Sequence, residues 1–141
     1  MSDRIRQILE SNRTIAIVGM SDKPHRASHE VGHYLQKHGY RIVPVNPLLA
    51  GQQVLGETVH ADLPTAAAAL QAAGEAPIDM VDVFRKSEDV PPVADQAIAI
   101  GARTLWLQLA ITHPEAEQKA ADAGLQVVHD KCTKIEHALL A

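Results

Sequence analysis

Thr14-Ile15-Ala16-Ile17-Val18, followed at once by Gly19-Met20-Ser21, is the stretch that decides how this chain folds. Five apolar positions in succession are too few for a helix. They also lack the polar alternation of a strand with one wet face, so the run reads as a strand buried on both sides. Gly19 ends it where the chain must turn. The residues that follow, Asp22-Lys23-Pro24-His25-Arg26-Ala27-Ser28, are polar and lead into a helical pattern.

Outward from that point, apolar runs and amphipathic stretches alternate. Ile5, Ile8 and Leu9 fall at helical spacing before the first strand. Val31, Tyr34 and Leu35 share a helix face after it, with Ser28 as the expected cap and Gly39 as the stop. Arg41 to Val45 reads as the second strand, with Pro44 placed awkwardly inside it. Asp62 or Thr65 opens an Ala-rich helix that stops at Gly74, and Ile78 to Phe84 is the third strand. Val90, Val93, Ala94, Ala97 and Ile98 follow the spacing of a packed helix closed by Gly101. Thr104 to Leu107 is the fourth strand. Thr112 with Glu115 forms a capping box for a helix ending at Gly124, and Leu125 to Val128 is the fifth strand. Thr133 with Glu136 forms a second capping box, for a terminal helix.

Repeated βα units of this kind imply an α/β fold: an open parallel sheet of about five strands with helices on both faces. The expected arrangement is Rossmann-type, with strand order 3-2-1-4-5, over one domain spanning 1–141; a flavodoxin-like order is the competitor. Composition agrees. Of 141 residues 46% are hydrophobic but only 3% aromatic, so the core must be built from Ala, Val, Ile and Leu. A net charge of −4 gives no broad footprint for nucleic acid, and no apolar run approaches the roughly 20 residues that span a bilayer. A single cysteine, Cys132, and a polar start to the chain point to a cytoplasmic protein without a disulfide.

In an open parallel sheet, ligands sit beyond the carboxyl ends of the strands, where the strand order reverses. The Gly19 loop lies there. The helix after it offers unpaired N–H donors and the positive end of its dipole, Lys23 and Arg26 add charge, and Ser21 adds a hydroxyl. Together these suit a pyrophosphate. The loop is not G-x-G-x-x-G, because Ser21 stands in place of the second glycine. Strand two ends in Val45-Asn46-Pro47, without the acidic residue that holds an NAD ribose. That favours a different nucleotide, and coenzyme A fits these charges better.

Ile15-Ala16-Ile17-Val18-Gly19-Met20-Ser21, Pro44-Val45-Asn46-Pro47 and Asp79-Met80-Val81-Asp82-Val83-Phe84-Arg85 together resemble the small stand-alone CoA-binding proteins. These are similar to the N-terminal CoA-binding domain of the succinyl-CoA synthetase alpha subunit. Leu105-Trp106-Leu107-Gln108 and Asp130-Lys131-Cys132 carry the likeness over nearly the whole chain. The resemblance implies that Gly19, Met20, Ser21, Asp22, Lys23 and Arg26 hold the CoA pyrophosphate. It places Val45, Asn46 and Pro47 around the adenosine, and Val83, Phe84 and Arg85 against the nucleotide. Two departures stand out. Leu48 and Leu49 follow Pro47 where the synthetase domain has a lysine, and Ala110 stands where the family tends to have glycine.

The expected function is therefore binding of coenzyme A or an acyl-CoA, without catalytic residues or a metal, and with a protein partner or a homo-oligomer left open. An NAD(P)-binding redox sensor or enzyme, and a ligand-free interaction module on the same fold, are the alternatives. His25, His29 and His33 are spaced by four but read as solvated or capping histidines. Cys132 reads as an inert thiol rather than a partner for the CoA thiol.

Overall fold

The computed structural model describes residues 3–140. Its elements run α1 (Asp3–Ser11), β1 (Thr14–Val18), α2 (Ala27–Lys37), β2 (Arg41–Val45), β3 (Gln53–Val54), β4 (Glu57–Thr58), α3 (Leu63–Ala72), β5 (Met80–Val83), α4 (Val90–Ala99), β6 (Thr104–Leu107), α5 (Pro114–Asp122), β7 (Gln126–Val128) and α6 (Thr133–Ala138). Five strands form one parallel sheet in the order β2-β1-β5-β6-β7. The α/β class and the parallel sheet with helices on both faces are as the sequence predicts.

The predicted strand order is corrected. The five long-range strands run 2-1-3-4-5 in chain order, because the segment read as strand three, now β5, pairs with β1 on the side away from β2. The place outside β2 is taken instead by Val59-His60. His60 makes a single parallel bridge to Val45, donating its N–H to Pro44 O at 3.0 Å and accepting from Asn46 N at 2.9 Å. Pro44 is accommodated for the same reason. Its carbonyl faces that outer side, so the N–H it lacks is not one that β1 needs.

The two faces of the sheet follow the strand period of two. Ala16, Val18, Val81, Val83, Leu105 and Leu107 pack beneath α3, α4 and α5, against small residues such as Ala66, Ala94, Ala97 and Ala120. Ile15, Ile17, Ile42, Met80 and Trp106 pack beneath α1, α2 and α6, with Ile8, Leu9, Val31 and Leu35. Trp106 is wholly buried and its indole N–H donates to Lys131 O at 2.8 Å.

Several helix starts differ from the sequence reading. Arg26, not Ser28, is the N-cap of α2 and supplies no side-chain cap. His113, not Thr112, caps α5: its ring accepts from Ala116 N, while Glu117 accepts from His113 N at 2.8 Å. Thr133 lies inside α6, whose N-cap is Cys132, because the Thr133 hydroxyl is engaged by Asp82 instead. Asp62 does cap α3, accepting from Thr65 N at 2.8 Å. The β3-β4 hairpin was not predicted. Its strands are two residues long, and its Leu55-Gly56 turn, with φ of 54 and 76, carries no Asn-Gly signal. At the far edge of the sheet the Arg4 guanidinium donates to Val127 O at 2.6 Å and to Gln126 Oε1 at 3.2 Å.

Candidate functional site

Strand order reverses between β1 and β5, so the crevice belongs at their carboxyl ends. Gly19 makes it. Its φ is +91, and a Cβ there would lie 2.6 Å from Phe84 O and 3.1 Å from Arg85 Cδ. Only glycine lets the two strand ends approach so closely with the chain turned left-handed. Gly19 N and Met20 N both donate to Val45 O, at 2.9 and 3.3 Å, and Phe84 N donates to Val18 O at 2.9 Å. The ends of β1, β2 and β5 are thereby tied together.

The loop that follows is closed on itself. Ser21 N donates to Ser28 Oγ at 2.9 Å, Lys23 N donates to Ser21 Oγ at 3.1 Å, and Arg26 N donates to Lys23 O at 3.0 Å. Ser28 is thus a buried tie for the loop rather than a cap. The first turn of α2 is left without a side-chain cap. Beside it lies an open cleft of about 280 Å³, lined by Gly19, Ser21, Lys23, Arg26, Ala27, Ser28 and Phe84. Lys23 and Arg26 are exposed there and form no ion pair among the described residues. An anion placed in this cleft would meet backbone donors, a helix dipole and two cations.

A second cleft, of about 220 Å³, is lined in part by Arg85. Val18, Val45, Pro47, Ala61, Asp62, Leu63, Arg85, Asp89, Pro92, Val93 and Gln96 line it. Arg85 faces Asp89 at 3.9 Å.

Of the residues singled out from sequence, the structure brings Gly19, Ser21, Lys23, Arg26 and Phe84 to the first cleft and Val45, Pro47 and Arg85 to the second. Asp22 is exposed on the loop without lining either cleft. The Met20 and Val83 side chains point away, fully buried in opposite faces of the core. Met20 lies under α2 at Gly32, where a Cβ would be 2.9 Å from Met20 Cε. Asn46 spends its amide within the protein: Nδ2 donates to Met20 O at 2.9 Å, and Oδ1 accepts from Leu48 N at 2.9 Å. It braces the loop against the end of β2. Asp62, Asp89 and Gln96 were not singled out as site residues. Their signal was topological, since helices α3 and α4 begin at the same edge of the sheet.

Next to these clefts lies a buried carboxyl. Asp82 accepts from Gln108 Nε2 at 2.6 Å and from the Thr133 hydroxyl at 2.9 Å, joining β5, the end of β6 and α6. Burial pushes its pKa up to about 7, against the opposing pull of the Gln108 and Thr133 hydrogen bonds. The loops beyond β6 and β7 are joined too: Ala110, with φ of +66, donates its N–H to Asp130 Oδ1 at 2.6 Å. Cys132 is a buried free thiol. A roomier concavity of about 500 Å³, lined by Arg4, Glu117, His129 and Lys131 among others, lies outside the edge strand β7, away from the Gly19 turn.

A glycine turn, an open helix N-terminus and paired clefts at a strand-order reversal define a nucleotide-binding α/β domain. The chain belongs to the CoA-binding domain family, whose pattern matches residues 13–138. It is 37% identical over 135 residues to the uncharacterized protein YneT of Bacillus subtilis, covering 96% of this chain and 93% of that one. Among solved structures it is similar to the protein cell-free ID.343 of Thermus thermophilus, with 35% identity, a TM-score of 0.87 and full coverage of both chains. A Rex-family repressor solved with beta-NADH shares the fold alone, at 15% identity and a TM-score of 0.59, over 94% of this chain and 60% of that one. Among the described residues no helix is long and apolar enough to cross a membrane.

Proposed function

We propose that this chain binds coenzyme A or an acyl-CoA across the β1-β5 switch point and carries out no reaction of its own. The diphosphate lies over the first turn of α2, beside Lys23 and Arg26. The adenosine occupies the cleft bounded by Val45, Pro47 and Arg85. One observation carries the reading: Gly19 and Phe84 line the first cleft beside the exposed Lys23 and Arg26, and their chain neighbours Val18 and Arg85 line the second, which joins apolar strand ends to Asp62 and Asp89. An extended ligand with a charged middle and a neutral heterocycle matches that sequence of environments. Membership of the CoA-binding domain family supports the choice. The bound form would serve to sense, buffer or present CoA.

A nicotinamide dinucleotide is the second reading, and one feature favours it: Asp62 and Asp89 line the adenosine cleft, where carboxylates can accept ribose hydroxyls. Thermal unfolding with CoA, acetyl-CoA, NAD and NADP in parallel separates the two. A ligand at 100 times its Kd adds about 2.7 kcal/mol of stability. Stabilisation by CoA or acetyl-CoA but not by the dinucleotides is expected. A response confined to NAD or NADP would replace the CoA reading, and silence with all four would leave an interaction module on the same fold.

A further inference from the structure

The two clefts carry opposite charge. Lys23 and Arg26 stand in the first. Among the described residues lining the second, the charged ones are Asp62, Asp89 and Arg85. Asp62 is held at the start of α3, where hydrogen bonds from Thr65, its side chain foremost and then its backbone N–H, keep the carboxyl below the usual carboxylate range. It is therefore ionised at neutral pH. Arg85 already faces a carboxylate, Asp89 Oδ2, at 3.9 Å. Leu48, which follows the lining residue Pro47, is 87% exposed and offers neither charge nor side-chain hydrogen bond.

From this segregation we infer that the adenosine cleft discriminates against a phosphate on the ribose, and that the preferred ligand of the CoA type lacks the 3′-phosphate. The inference rests on the function just proposed. Ribose hydroxyls donate to carboxylates and are welcome beside Asp62 and Asp89. A phosphate monoester dianion only accepts, so it gains nothing from either acid and is repelled by both. Arg85 has donors to spare for it, but Asp89, 3.9 Å from that guanidinium, stays beside the phosphate as a like charge. The diphosphate pays no such penalty, because it lies in the cationic cleft.

Isothermal titration of the full chain with CoA and with dephospho-CoA tests this, at low ionic strength and again at high salt. Dephospho-CoA is expected to bind more tightly, by about two- to fivefold, the worth of an exposed charge pair. High salt should narrow the gap. Asp62→Asn, which preserves the cap, and Asp89→Asn should each raise the affinity for CoA relative to dephospho-CoA. CoA binding threefold tighter than dephospho-CoA in the unmodified chain would overturn the inference and leave the CoA reading standing. So would a ratio that neither substitution moves. Binding of neither compound would overturn the proposed function itself, and the inference with it.

Discussion

Gly19 concentrates the demands of the site in one residue, since it must be left-handed and must also leave room for Phe84 O at 2.6 Å from where a Cβ would stand. Gly19→Ala costs about 1–2 kcal/mol for the backbone conformation alone, and the contact with Phe84 adds to it. Chemical denaturation should show at least that loss; an unchanged midpoint would mean that the β1-β5 crevice tolerates opening. Asp82 makes a prediction of different kind. Its pKa of about 7 lies above the ordinary 3.8, so the folded chain holds a proton that the unfolded chain releases. The stability it contributes is complete below pH 3.8 and is lost as pH rises through 7. Asp82→Asn removes that dependence. Across this window the stability of the unmodified chain relative to the variant should fall by up to about 1.4 kcal/mol per pH unit. Parallel curves for the two proteins between pH 4.5 and 8 would show that Asp82 does not titrate there.

Among the elements, α2 joins fold to function. Its buried face, Val31, Gly32 and Leu35, covers Ile17 and Met20, while its first turn is left open beside Lys23 and Arg26. Because both cationic side chains are exposed and unpaired, Lys23→Ala with Arg26→Ala should leave the melting temperature of the free protein unchanged. The same double variant should weaken CoA at least about tenfold, or 1.4 kcal/mol. Equal affinity in the two proteins would move the diphosphate elsewhere. Elements with a strong apolar pattern were legible in the sequence: β1, β2 and β6 begin and end where expected, and α4 needs only a small shift. Caps were read less well. Ser28, Thr112 and Thr133 each had a capping residue type, but longer-range partners engage two of them: Ser21 N binds Ser28 and Asp82 binds Thr133, leaving caps to neighbours. The site divided in the same way. The Gly19 loop was readable as a cleft wall because glycine, cations and helix start are contiguous. Asp62, Asp89 and Gln96 arrive from two separate helices and were not.

At the scale of the molecule, the order 2-1-3-4-5 is the flavodoxin-like competitor rather than the expected 3-2-1-4-5, because pairing partners on either side of β1 are chosen by the crossover from β2, which local pattern does not encode. The sheet is nonetheless a shared wall between two cores, and Trp106, buried on β6 in the core beneath α1, α2 and α6, reports on that face. If the faces melt together, urea unfolding followed by Trp106 fluorescence and by far-UV circular dichroism should coincide. Separated transitions would show that the helices of one face detach first. The bridge at His60 and the guanidinium of Arg4 have a further consequence for how this molecule meets others. One covers the outer side of β2 near its end, and the other takes the Val127 carbonyl of β7. Both margins of the sheet are thereby blunted against strand addition, the route by which open sheets polymerise or recruit extended peptides. The helices and the rim around Gly19 are the surfaces these two contacts leave open.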